Sequence, residues 1–433
     1  YVYNGTYYEN IIVNKTIDLV GEDRNDTTID GKNGNAVDIT VDSVNISGFL
    51  IENSTTGIYS YNTNNISIFE NTLRYNEEYG IYLESSFNAS IQGNNVDFID
   101  WDVGIYLEDS SYNTISDNTI SNCFAGIVLY YSCHNNTIVR NDVHSNDDSG
   151  IYLYYANNNT IIQNTVSENH YGFTIGDSSD NIIQNNTASD NNNGIHLSSS
   201  SNNTIYNNFF NNTNNYYNDG NNIWNISKTP GTNIIGGPYL GGNFWSDYRG
   251  QDLDDDGIGD TNVPYGPGDH LPIGPFMDLN QSVQDRGFPI RHAVDGDWAG
   301  AQNFTPTYNT LASTEIYLRK FGTPEFDLTV ELRENHPQGT LIDNLTFTPE
   351  EVPSSWEWFH INFNDISITP GNDYFIVIPP APTGVTTSFG YEWGYAFGDQ
   401  YPDGSFWFTR DGGDLWRDLP TMYEFAFKTY GYN

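Results

Sequence analysis

Between residues 57 and 199 the chain sets short apolar phrases against polar turns on a regular beat. A Gly followed by alternating apolar residues recurs at Gly57, Gly80, Gly104, Gly126, Gly150, Gly172 and Gly194, at intervals of 23, 24, 22, 24, 22 and 22 residues. Each period holds two more short alternating segments, such as "NTI" and "TISN" after "GIYLEDSSY", set apart by Asn/Ser/Asp turn clusters. Helical i, i+3, i+4 spacing is absent. A fixed period in this range marks a solenoid. Three short strands per coil, all running the same way, predict an all-β parallel β-helix of 22–24 residues per coil over residues 1–246.

Alternate residues of a strand face opposite sides. Ile81 and Leu83, Ile105 and Leu107, and Ile151 and Leu153 are therefore expected to stack inward as aliphatic ladders. Asn71, Asn94, Asn118, Asn141, Asn164, Asn186 and Asn208 fall 14 or 15 residues after their Gly, where a stacked amide can satisfy neighbouring backbone groups. The second residue after each Gly faces outward: Tyr59, Tyr82, Tyr106, Val128, Tyr152, Thr174 and His196. Tyr59, Tyr82, Tyr106 and Tyr152 form a candidate contact stripe, a sugar platform or an interface; plain β-propensity under a packed neighbour would give the same pattern.

"DLDDDGIGD", residues 252–260, has the donor spacing of a calcium loop. Asp252, Asp254, Asp256, the Ile258 carbonyl and Asp260 stand at positions 1, 3, 5, 7 and 9, with Gly257 allowing a sharp turn. Val263 occupies the place of the EF-hand Glu, so the loop is closer to dockerin-like or thrombospondin-like repeats. Asp247 or Asp269 is expected to complete the shell. The cofactor implied is Ca2+, in a structural role, within a linker over 247–284.

From residue 285 the Asn-rich repeat stops. "STEIYLRKF", "DLTVELREN", "WEWFHINF", "DYFIVIP" and "YEFAFKTYG" alternate at the spacing of a β-sandwich or jelly roll, predicting such a domain over 285–433, a carbohydrate-binding-like or assembly module. Trp356, Trp358, Trp393, Tyr395 and Trp407 are candidates for a sugar-stacking surface, although large aromatics in a sandwich are more often core. "TRDGGDLW", Thr409–Trp416, fits an Asp-box, a turn-stabilising motif without catalytic meaning.

Composition narrows the partners. The 433 residues carry 15 Lys+Arg against 56 Asp+Glu, a net charge of −41, which disfavours nucleic acid and anionic membranes. No run of about 20 apolar residues marks a membrane span. Sequons occur at Asn4, Asn14, Asn25, Asn45, Asn53, Asn65, Asn88, Asn135, Asn158, Asn185, Asn202, Asn211, Asn225, Asn280, Asn303 and Asn344. An Asn- and Thr-rich chain makes many by chance, and this number suits an extracellular, N-glycosylated, cell-surface protein. Cys123 and Cys133 flank one strand too far apart for a disulfide and read as buried turn fillers. Tyr1 opens directly in strand-like sequence, so an upstream piece is expected.

The repeats, with "VYNGTYYENIIVNKTIDLVGE" near the start and "GGNFWSDYRGQDLDDDGIGDTNVPYG" near residue 250, resemble NosD-like right-handed parallel β-helix proteins, especially archaeal surface members. The segment from "AQNFTPTYNTLASTEIYLRKFG" to "TPGNDYFIVI" resembles an accessory domain of secreted proteins. The resemblance implies the fold; it leaves function open, because such coils serve lyases, epimerases, adhesins and surface layers alike. Copper delivery by analogy with NosD finds no support in two Met, two Cys and the scattered His134, His144, His170 and His196. Lyase chemistry lacks cations, since only Arg74 and Arg140 stand between Lys32 and Lys228. A glycosidase pair would have to come from Glu84, Glu108, Asp109 and Asp102. The reading from sequence is a non-enzymatic structural or adhesive surface protein that self-associates into a layer, sheath or filament. The alternative is a secreted polysaccharide-binding or polysaccharide-degrading β-helix protein.

Overall fold

The computed structural model describes residues 1–432 apart from positions 33, 100–102, 251, 253, 255, 291–296 and 383–388. It divides into two compact units, Tyr1–Gly274 and Pro275–Asn433. The acidic loop belongs to the first unit, and the second begins ten residues before the change of pattern in the sequence.

The first unit is a parallel β-solenoid. One coil runs through Val103–Glu108, Thr114–Ser116 and Thr119–Ser121 before the chain rises to Ala125–Tyr130. Stacked coils make three parallel sheets of eleven, ten and nine described strands, the first starting at Gly5–Tyr7, the second at Ile11–Val13 and the third at Asp18–Val20. The six-residue strands opened by the Gly beat all lie in the second sheet.

Register explains the beat. In the second sheet Ile81, Ile105, Ile127, Ile151, Phe173 and Ile195 pair in sequence, as do Leu83, Leu107, Leu129, Leu153, Ile175 and Leu197. All of these side chains are fully buried. The third sheet adds Ile91, Ile115, Ile138 and Ile161, and the first adds Val96, Ile120, Val143 and Val166. Burying each such aliphatic is worth about 1.5–3 kcal/mol. The repeated Gly is a matter of close approach: a Cβ on Gly80 would lie 2.5 Å from the Gly104 carbonyl oxygen, and one on Gly172 at 2.5 Å from that of Gly194.

The corners are held by amide ladders. Asn118 sits between the third and first sheets; its Nδ2 donates to the Ile91 carbonyl at 3.0 Å and to Asn141 Oδ1 at 2.9 Å. Its Oδ1 accepts from the backbone N–H of Asn94 at 2.9 Å and from Asn94 Nδ2 at 3.0 Å. The seven Asn expected from spacing all belong to this column and are buried. Two further columns escape the spacing argument. Asn113, Asn136, Asn159, Asn181 and Asn203 join the second sheet to the third, and Asn146, Asn169, Asn191 and Asn212 join the first to the second.

Residues just before the ladder positions adopt left-handed backbone: Asp117 has φ 56° and Arg140 φ 54°, and Asn65, Asn88, Asn135, Asn158 and Asn202 lie between 55° and 61°. In this last column each exposed Asn precedes a residue of the second-to-third corner, and a Ser or Thr beginning the next strand or packed beside it completes the triplet. Both cysteines are ladder substitutes. The Cys123 N–H donates to Asn146 Oδ1 at 3.1 Å, and Cys133 Sγ accepts from the Ser110 N–H at 3.4 Å in a column that also holds Thr63, Ser86, Ala156, Ser178 and Ser200. Both thiols are free and buried, and burial pushes each up to about 12.

After the last coil Trp224, Trp245 and Tyr248 close the apolar bore. Asp269 is fully buried there, accepting from Trp245 Nε1 at 3.0 Å and from the N–H groups of Asn243 and Leu271. Burial pushes its carboxyl up to about 6, against those hydrogen bonds.

The second unit is antiparallel. One sheet centres on Thr310–Phe321, paired with Glu357–Ser367, Gly390–Phe397 and Phe427–Tyr432. The other is ordered Thr340–Phe347, Leu328–Glu334, Tyr374–Ile378, Ala299–Phe304, Phe406–Thr409 and Arg417–Asp418. Ile316, Leu318, Trp393 and Phe427 of one sheet and Val330, Leu332, Ile376 and Phe304 of the other share one core. Thr409 Oγ1 and the Leu415 N–H both donate to Asp411 Oδ1, which places the Asp-box in a turn.

Candidate functional site

The outer face of the second sheet carries two neighbouring columns of side chains. Asp38, Tyr59, Tyr82, Tyr106, Val128 and Tyr152 pair in register along one; Tyr61, Glu84, Glu108, Tyr130 and Tyr154 pair along the next. Alternation within each six-residue strand puts both columns outward while Ile and Leu between them fill the bore.

Tyr59, Tyr82, Tyr106 and Tyr152 thus share one outward column, and the neighbouring column adds further rings. Tyr59 and Tyr82 lie 5.1 Å apart between ring centroids, Tyr82 and Tyr106 5.1 Å, Tyr106 and Tyr130 6.0 Å, and Tyr130 and Tyr154 5.3 Å. Tyr131 and Tyr155 extend it outward, stacked at 5.3 Å and both exposed. Tyr152 joins through Tyr154 at 6.0 Å. Further along the same face His196 stacks on Tyr217 at 4.4 Å. At the N-terminal end the face opens into a groove of about 380 Å³ lined by Asp38, Tyr59 and Tyr61.

Two carboxylates are built into this aromatic wall. The Tyr59 hydroxyl donates to Glu84 at 2.5 Å, and the Tyr82 hydroxyl donates to Glu108 at 2.6 Å. Burial, followed by the hydrogen bond to the carboxylate, holds both phenols well above their ordinary pKa, so they stay protonated donors. Glu84 and Glu108 are register partners on adjacent strands. Of the other carboxylates considered from sequence, Asp109 is exposed at the following corner with φ 47°, and Asp102 lies outside the described residues. Arg74 and Arg140 are engaged elsewhere, with Glu52 at 3.0 Å and Asp117 at 2.7 Å, so neither supplies a cation to this face.

The acidic loop departs from its expected ligand set. Carboxylate oxygens of Asp252, Asp254 and Asp260 lie within 4.8 Å of one another. Asp256 instead forms an ion pair with Lys228 and caps the Ile258 N–H at 2.9 Å. Ile258 is buried and bridges Ile273. Asp247 accepts from Asn215 Nδ2 and Asp269 from Trp245 Nε1, and neither belongs to the three-carboxylate cluster. None of the sequon asparagines is buried, while Asn45, Asn185, Asn211, Asn225 and Asn303 are half-buried.

Residues 96–250 match the family described as periplasmic copper-binding protein (NosD), and residues 14–147 match the right-handed β-helix region. No curated protein matches the chain. Among solved structures, the enzymatically active domain of tailspike protein 2 of bacteriophage CBA120 is 14% identical with a TM-score of 0.46, over 94% of this chain and 77% of that one. The periplasmic alginate epimerase AlgG is 18% identical with a TM-score of 0.36, over 48% of this chain and 66% of its own. An alginate lyase from Paenibacillus sp. str. FPU-7 is 13% identical with a TM-score of 0.36, over 51% of this chain and 90% of that one. At these identities the likeness describes the fold. All three are described as enzymes, a finding that corrects the expectation of a non-enzyme.

Copper does not fit the donors present. The two thiols are buried in separate ladders, and the metal-competent cluster among the described residues is three carboxylates, hard oxygen donors rather than soft ones. By fold, register and match, the first unit is a NosD-like right-handed parallel β-helix.

Proposed function

We propose that the chain is a polysaccharide-active β-helix protein working outside the cytoplasm, with the outer face of its second sheet as the glycan-contact surface. The observation that carries this is the pairing of Tyr59 with Glu84 and of Tyr82 with Glu108 inside one continuous aromatic wall. Rings contribute apolar plates for the C–H faces of sugars, and the carboxylates accept from hydroxyls or exchange protons with them. Adjacent strands lie about 4.8 Å apart, which suits register-paired Glu84 and Glu108 to the short carboxyl separation, about 5–5.5 Å, of a retaining glycosidase pair. In that role one carboxyl protonates the leaving oxygen and the other attacks the anomeric carbon, and the first then activates the water that releases the sugar. The described strands of this face carry Asp38, Glu84 and Glu108 and no Lys or Arg, so the favoured substrate is an uncharged polysaccharide. The periplasmic description of the matched family supports the location.

The same reading includes calcium held by Asp252, Asp254 and Asp260. Three oxygen donors in one turn fit a hard cation, which would neutralise their repulsion and fasten the end of the helix.

The test is reducing-end release from barley β-glucan, galactomannan and xylan by the wild-type chain and by Glu84→Gln and Glu108→Gln, with retention on the same polymers in native gels. Release that either substitution abolishes supports the pair as catalytic. Retention without release identifies a binding protein on the same face. Neither retention nor release on any uncharged polymer overturns the reading.

A further inference from the structure

The second unit carries an aromatic surface of its own. Of the five aromatics singled out from the sequence, Trp393 is fully buried, Tyr395 packs against the core, and Trp407 packs on Ala301, Phe375 and Val377. Trp356 and Trp358 belong to neither cluster and are partly exposed on either side of Tyr317. Tyr317 and Trp356 are parallel within 8° at 5.5 Å, and Tyr317 and Trp358 lie 5.3 Å apart.

The backbone beneath is bare. Gly287 on Arg286–Ile290 and Gly394 on Gly390–Phe397 are register partners. A Cβ on Gly287 would meet the Trp356 ring at 2.7 Å, and one on Gly394 would meet the Tyr317 ring at 3.0 Å. Two facing glycines thus let two adjacent rings lie down on the sheet. Covering a glycine needs only one ring over it, whereas Trp358 continues the row.

The ends of the row are charged yet neutral in sum. The Arg319 guanidinium lies 4.7 Å from the Trp356 centroid and pairs with Glu392 at 2.6 Å. The Lys428 ammonium lies 4.2 Å from the Trp358 centroid and pairs with Glu315 at 3.0 Å, to which the Tyr430 hydroxyl also donates. Each cation is matched by a carboxylate within the patch, so an ionic ligand finds no excess charge. A polyol finds ring faces flanked by charge-assisted donors and acceptors.

We infer that Tyr317, Trp356 and Trp358 form a second glycan-binding site, taking a segment of an uncharged polysaccharide. The site belongs to the second unit alone and does not depend on the function proposed for the β-helix face.

Affinity electrophoresis of the full chain tests this, with barley β-glucan, galactomannan and xylan in the gel and alginate and heparin as charged controls. In a Tyr82→Ala background, the uncharged polymer that retards the parent still retards the protein. Adding Trp356→Ala weakens that retardation at least tenfold, whereas Trp356→Phe, which keeps a ring, retains most of it. Trp358→Ala, with no glycine beneath it, is the second variant should Trp356→Ala melt early. The inference is overturned if Tyr82→Ala alone abolishes all retardation, if the Trp variants run as their parent does, or if only the charged polymers retard the chain. Retardation untouched by Tyr82→Ala but abolished by Trp356→Ala upholds this site and removes the helix face from the proposed function.

Discussion

Tyr82 reaches one coil along the helix to donate its hydroxyl to Glu108 at 2.6 Å, and Tyr59 stands in the same relation to Glu84. Each phenol thereby fixes a carboxylate while offering its ring to solvent. The two roles separate by substitution. Tyr82→Phe keeps the ring, so retention on the bound polysaccharide stays close to wild type while turnover falls as Glu108 loses its positioning donor. Tyr82→Ala removes the ring as well and weakens retention about tenfold, equivalent to roughly 1.4 kcal/mol. Gel retardation and initial rates on the same polymer check both.

Asn118 joins three coils through its side chain. Asn118→Ala strands the Ile91 carbonyl and the Asn94 donors in a dry corner, where each unsatisfied group costs about 1–3 kcal/mol. Urea unfolding of the first unit is expected to show a loss of several kcal/mol. An exposed neighbour such as Asp117→Asn serves as control, since its side chain makes surface contacts alone, an ion pair with Arg140 and a hydrogen bond from Gln92.

The acidic loop gives a prediction that divides four look-alike aspartates. Calcium raises the melting temperature of the wild-type chain in calorimetry, and chelation reverses the gain. Paired Asp252→Asn and Asp260→Asn abolish the calcium response. Asp256→Asn lowers the baseline by breaking the contact with Lys228 but leaves the response in place.

Glu424 in the second unit is fully buried, with Gln302 Nε2 donating to Oε2 at 2.6 Å and no partner at Oε1. Burial pushes its carboxyl up to about 8, so it is protonated in the fold at neutral pH. The unfolded chain binds fewer protons there above its ordinary pKa. Its stabilising contribution is therefore full in acid and is lost as pH rises toward about 8. Glu424→Gln is expected to leave melting at pH 4 unchanged and to raise it at pH 8 by roughly 5 °C.

The inward ladders were legible because strict alternation repeated at a nearly constant interval admits one stacking, and Ile105 over Ile81 follows from counting alone. One Asn column was legible for the same reason. The column at the first-to-second corner was not, because Cys123 takes an Asn place there and breaks the pattern. The bond from Tyr59 to Glu84 was hidden for a different reason: it runs diagonally between coils, a distance that a repeat length does not contain. Likewise the loop spacing ranked Asp256 with its neighbours, and only the proximity of Lys228 in space removed it. Among the tryptophans, composition could not separate the buried Trp393 from the partly exposed Trp356 and Trp358; the facing glycines at 287 and 394 do.

The left-handed column of Asn65, Asn88, Asn135, Asn158 and Asn202 changes how the attachment-like triplets should be counted. An outward Asn at the corner, a buried residue behind it and a Ser or Thr at or near the strand start together spell Asn-x-Ser/Thr. The solenoid writes this triplet as a by-product of turning. Along residues 65–204 this corner recurs seven times and five of the seven carry the triplet, so the matches behave as a ruler, and their abundance reports length before it reports any sugar.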